Sequence, residues 1–96
     1  MGYYIQTPDH FHKAEYVLDN YGAISVTRKE AIEEFYSGDF AVLCCACNGR
    51  FEALAVVHNE YDLSCFTDPR DYRLKKWLVM EKKIAYDLAG IKEEDT

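Results

Sequence analysis

A single α+β domain is expected, with elements in the order β-α-β-α-β-β-α-β-α and one mostly antiparallel sheet carrying helices on its core face. Three observations point there. Asn48-Gly49 separates two runs rich in strand formers, "AVLCCAC" and "RFEALAVV", which is the strongest short hairpin signal. Thr27-Arg28-Lys29-Glu30 fits the Ser/Thr-x-x-Glu capping box that starts a helix. The remaining elements are short and punctuated by Gly, Pro and Asn, with no repeat or linker, and 96 residues leave room for one core. Residues 1–91 make up that domain, and Lys92-Glu93-Glu94-Asp95-Thr96 is a flexible acidic tail.

Taken in order, Tyr3-Tyr4-Ile5-Gln6 reads as a strand. Thr7 then caps, and Pro8 opens, a helix in which Phe11, Ala14, Leu18 and Tyr21 recur at helical spacing until Gly22 closes it. Ala23 to Val26 is a short strand, and a second helix runs from about Arg28 to Tyr36 before Ser37-Gly38. With Asn48-Gly49 as a two-residue turn, Cys47 stands opposite Arg50, Cys45 opposite Glu52 and Leu43 opposite Leu54.

Alternation then sorts the hairpin into two faces. One carries Phe40, Val42, Cys44, Ala46, Phe51, Ala53, Ala55 and Val57 and is the core face; the other carries Cys45, Cys47, Arg50 and Glu52 near the turn. Asn59 caps a short helix through Phe66, and Asp68 to Asp71 is a turn. Trp77 to Met80 reads as a buried strand and Glu81 to Ala89 as a last helix ended by Gly90. A single helix over 69–89 also fits the apolar spacing, but it places Glu81 in the apolar stripe, and strand then helix is preferred.

The charge balance narrows the function. Lys and Arg total 11 against 17 acids, for a net charge of −6, the wrong sign for a protein that neutralises phosphates, so direct nucleic-acid binding is not expected. The basic run Arg73-Leu74-Lys75-Lys76 reads as solvated surface. No apolar run approaches the roughly 20 residues of a membrane span, and "MGYYIQTPDH" lacks the basic and apolar regions of a secretory signal. With three of four cysteines crowded together and no signal, reduced thiols in a cytoplasm are expected.

The cysteines are the stretch that looks most like chemistry. Cys44 and Cys45 point to opposite faces, and Cys45 and Cys47 lie about 6.5–7 Å apart along a strand, at the limit for a disulfide. C-x-C without a second ligand pair is not a structural zinc pattern, and His10-x-His12 on a helix points its rings apart, so no metal is expected. Neither a cofactor motif nor a nucleophile elbow is present, and the chain is read as a non-enzyme without cofactor.

Two polar groups stand out. Asp68, Arg70, Asp71 and Arg73 form the candidate ligand cluster, although a D-P-R-D turn more commonly pairs its own charges. Glu30, Glu33 and Glu34, with Tyr36 and Asp39, form an acidic helix surface. Eight tyrosines are more than a small core absorbs, and tyrosine favours protein interfaces.

Together, "MGYYIQTP", "NGRFEALAVVHNE" and "FTDPRDYRLKKWLVMEKKIAYDLAG" resemble small bacteriophage and mobile-element proteins of unassigned function. The resemblance covers nearly the whole chain and assigns no residue roles. It implies a bacterial host cytosol and an accessory role in which small acidic proteins bind and block host defence or nucleic-acid enzymes. The leading expectation is therefore a non-enzymatic protein that engages a basic host protein through Glu30, Glu33, Glu34, Tyr36 and Asp39. The alternative is a small-molecule or nucleotide site, or an enzyme, built on Asp68, Arg70 and Asp71 with His58 or His12. A homodimer acting as a ligand sponge is the third.

Overall fold

The computed structural model describes residues 3–7, 12–49 and 51–92. The elements are β1 (Tyr3–Tyr4), α1 (Lys13–Asn20), β2 (Ile24–Val26), α2 (Arg28–Ser37), β3 (Ala41–Cys47), β4 (Glu52–Val56), α3 (Glu60–Thr67), β5 (Leu74–Met80) and α4 (Lys82–Ala89). The order is the expected one, and the last two elements are a strand and a helix. The five strands form one sheet in the order β1-β4-β3-β5-β2, antiparallel throughout.

Helices cover both faces. Val42, Cys44, Val57, Trp77 and Val79 pack with Ala31 of α2 and Leu63 of α3. Across the sheet, Leu43, Cys45, Leu54, Val56, Leu78 and Met80 pack with Val17 of α1 and Ala85 of α4. On the face expected to be core, Val42, Cys44, Ala46, Ala55 and Val57 are buried, but Phe40, just outside β3, is 48% exposed; the opposite face carries a second core. Cys45, sorted by its polar neighbours onto the outer face, is therefore buried. The strand states this itself: "AVLCCAC" contains no polar residue, the pattern of a strand covered on both sides.

The hairpin register needs correction. Cys47 pairs with Glu52, Cys45 with Leu54, and Leu43 with Val56. The Asn48 N–H donates to the Phe51 carbonyl at 3.1 Å, so these two residues close the turn and its centre falls one residue later than Asn48-Gly49. Gly49 follows Asn48 with φ +93°, a conformation that favours glycine. The parity of the faces survives this even shift. Phe51, however, is 72% exposed instead of buried. Arg50 lies outside the described residues.

The start of α1 also differs. The helix begins at Lys13 with His12 as its N-cap residue and no side-chain cap, so Thr7 does not cap it. Pro8, His10 and Phe11 lie outside the described residues, as does the tail beyond Lys92. What satisfies the helix start is a distant carboxylate: the Lys13 N–H donates to Glu52 Oε2 at 2.8 Å. The ends of α2 and α3 are local, as expected. Thr27 and Glu30 form a complete capping box, and Asn59 accepts from the Asp62 N–H.

Candidate functional site

The capping box has a consequence for the sheet. Thr27 turns the chain out of β2 into α2, so β2 pairs with β5 only from Trp77 to Val79. Below Trp77 the outer edge of β5 borders a cleft of about 660 Å³. Its walls are the end of β2, the first turn of α2 with Arg28, the end of α3 at Phe66 and Thr67, the Asp68–Asp71 loop, and Arg73, Lys75 and Lys76.

The candidate ligand cluster falls here, and its charges are paired internally. Asp68 accepts from the Arg70 backbone N–H at 2.9 Å and from Arg70 Nε and Nη2 at 3.2 and 3.0 Å. Asp71 accepts from Arg73 Nη2 at 2.7 Å and Lys75 Nζ at 3.0 Å. Hydrogen bonds from Arg73 and then Lys75 hold the Asp71 carboxyl far below the usual carboxylate range, and Arg70 lowers Asp68. Both acids are thus ionised at neutral pH and fully engaged as acceptors, a poor state for a proton donor or a general base. Four cations (Arg28, Arg73, Lys75, Lys76) line the cleft against these two carboxylates, in a chain of net charge −6.

The two histidines considered with this cluster lie elsewhere. The His58 ring stands edge-on between Tyr3 and Tyr86, with centroids 5.1 and 5.5 Å away. His12 Nδ1 is 3.8 Å from Glu52 Oε1. The cleft walls include neither.

The acidic surface of α2 is partly committed to its own element. Glu30 Oε1 accepts from the Thr27 N–H at 2.9 Å, and Asp39 accepts from the Ser37 hydroxyl at 3.2 Å. Glu34 is half-buried, and its Oε2 is buried without a hydrogen-bond partner among the described residues. Glu33 and Tyr36 face solvent.

All four cysteines are free thiols. Burial pushes the Cys44 thiol up to about 12, and burial with the nearby Glu52 carboxylate pushes Cys45 up to about 11. The Cys45 thiol donates to Glu52 Oε2 at 3.8 Å, a diagonal contact across the ladder. Neither buried thiol has the thiolate character a nucleophile needs. Among the described residues no group of three His, Cys, Asp or Glu side chains is placed to hold a metal ion, and no helix is long and apolar enough to cross a membrane.

Sequence reasoning missed one feature. At the hairpin end of the sheet, Tyr72 is 94% and Leu74 78% exposed, and they flank a shallow cavity of about 310 Å³ with Cys47, Asn48 and Gly49. Exposed Phe51 immediately precedes β4 at the same end; alternation assigns it to the sheet face of Cys44 and Trp77, whereas Leu74, in line with Cys47 and Glu52, belongs to the opposite face. The signal was present as large apolar residues beside the basic run and directly after the turn. Among the tyrosines, Tyr3, Tyr4, Tyr36, Tyr61 and Tyr72 are exposed, in keeping with a surplus over what the core takes. No family model matches the chain, and no curated protein or solved structure is significantly similar to it.

Proposed function

We propose that the chain is a non-enzymatic binding protein that engages another protein through the hairpin end of its sheet. The carrying observation is Phe51, Tyr72 and Leu74, three large apolar side chains mostly in water at one end of a small domain. Burying such a side chain is worth roughly 1.5–3 kcal/mol, and because Leu74 and Phe51 belong to opposite faces of the sheet, a partner that covers both closes over its end. The acidic helix version, with Glu30, Glu33, Glu34, Tyr36 and Asp39 against a basic target, draws less support, because Glu30 and Asp39 serve local hydrogen bonds and Glu34 turns inward. The internal pairing of Asp68 and Asp71 weighs against the enzyme reading in the same way. A host protein as partner rests on the resemblance to phage and mobile-element proteins.

The test is affinity capture from bacterial lysate with the native chain and with a Phe51→Ser, Tyr72→Ser, Leu74→Ser variant. All three side chains are exposed, so the variant keeps its fold by circular dichroism. A protein that co-elutes with the native chain and is lost from the variant is the expected result. Equal recovery by both, or a bound nucleotide and no protein, overturns the reading.

A further inference from the structure

We infer that the outer edge of β5 at Leu74–Lys76 receives an extended, acidic segment of the protein partner as an added strand. The inference rests on the protein-binding reading above and names the part of the partner that enters the cleft. The first support is backbone geometry. On its inner side β5 pairs with β3 along its whole length, from Met80 opposite Ala41 to Leu74 opposite Cys47. On its outer side β2 covers only Trp77 to Val79. The capping box ends β2 at Val26, and the cleft occupies the place where its continuation would lie. An unpaired edge presents main-chain donors and acceptors to any extended chain of the right spacing.

The second support is charge, and it decides what kind of chain. Arg73 and Lys75 belong to the sheet face of Trp77, since Lys75 pairs with Ala46 and Trp77 with Cys44. Lys76 pairs with Cys45 and belongs to the opposite face. Arg28 stands across the cleft at the start of α2, where its guanidinium makes a long 3.4 Å contact to the Thr67 carbonyl. Cations therefore flank the open edge on both faces of the sheet. A small anion meets one face; an added strand, whose side chains alternate, meets both. Acidic side chains on such a strand find Arg73, Lys75 and Arg28 on one side and Lys76 on the other. Lys75 Nζ and the guanidinium groups carry more donors than Asp68 and Asp71 take up.

The open edge also discriminates. A lysine-bearing strand in the same place stands beside four like charges with only two engaged carboxylates near them. Like-charge juxtaposition disfavours the wrong partner, so rejection of basic segments is as much a property of the site as acceptance of acidic ones.

The probe is the synthetic peptide Thr-Glu-Glu-Val-Glu-Glu-Thr, which carries glutamates on both faces of a strand, acetylated and amidated, titrated into the full chain and followed by backbone amide NMR shifts. Its Lys-for-Glu analogue, inorganic phosphate and a short single-stranded oligonucleotide are titrated alongside. Shifts centred on Leu74, Lys75 and Lys76 with the acidic peptide alone, diminished by salt, are the expected result. The Arg28→Glu, Lys76→Glu variant alters two exposed side chains and weakens binding about tenfold or more, the loss of a good charge-assisted contact. Shifts with the lysine peptide, shifts located elsewhere, an unaffected charge variant, or no peptide binding each overturn the inference. Binding of phosphate or oligonucleotide without the peptide overturns it in favour of a simple anion site. If the captured protein is lost from the apolar variant but kept by Arg28→Glu, Lys76→Glu, the protein-binding reading stands and this inference falls.

Discussion

Glu52 does three jobs with one carboxylate. It accepts the first free N–H of α1, takes the Cys45 thiol, and stands beside His12. The sequence places Glu52 near Cys45, and that neighbourhood is correct, but it arises diagonally from a pairing with Cys47. The role at the helix start was not legible, because the residues it joins are 39 positions apart. Nothing local distinguishes a capping carboxylate on a strand from a solvated one. The thiols give a clear prediction at this scale. With Cys44 and Cys45 raised to about 12 and about 11, both are protonated at pH 8, and thiols react as thiolates. Iodoacetamide at pH 8 should label exposed Cys65 first and half-buried Cys47 next, leaving Cys44 and Cys45 unmodified in the folded protein. Raising the pH towards 11 should bring in Cys45 before Cys44. Peptide mass spectrometry reads the order, and early labelling of Cys44 would contradict the buried assignment.

Elements whose limits are written in adjacent residues were legible, and those set by tertiary contacts were not. Thr27 and Glu30 satisfy each other's orphan N–H groups across a single turn, and at the start of α3 Asn59 accepts from the Asp62 N–H while the Asp62 carboxylate accepts from the His58 N–H. Both helix starts fall where the sequence places them. β5 is longer than its apolar run suggests because Lys75 and Lys76 continue the ladder against Ala46 and Cys45, a place granted by β3 and not by strand propensity. The turn position was not legible because alternation alone fits either even register, and the positive φ falls on Gly49 in both. The capping box carries the element-scale prediction. Thr27→Ala should cost about 1 kcal/mol in urea unfolding, the usual value of an N-cap. Glu30→Ala should cost less, since it leaves the Glu30 N–H bonded to the Thr27 hydroxyl. A Thr27→Ala midpoint indistinguishable from the native one would mean that packing of Ala31 and Phe35, not the cap, fixes the start of α2.

Across the whole molecule the sheet order separates strong from weak regions. β3 lies at the centre, paired on both sides and covered on both faces, whereas β1 and β2 are edges of two and three residues. Native-state hydrogen exchange should therefore be slowest at the amides of Val42 to Cys45 and Leu78 to Val79. It should be fast at Tyr3 and Tyr4, which open without disturbing either core. Equal protection of β1 and β3 would show that the domain opens only as one unit. The central place of β3 was partly legible in its unbroken apolar run; the order of strands around it was not, since it depends on which distant edges meet.

That order also bears on how the chain is made. Synthesis delivers β1 and β2 first, yet the sheet gives β1 its place against β4 and β2 its place against β5. On the ribosome β1 and β2 therefore have no template when they emerge, and β2 waits for β5. Until Leu74 to Met80 leave the exit tunnel, Ile24 to Val26 hang beside an unfinished sheet, and a strand translated late is the one that lets an early one fold.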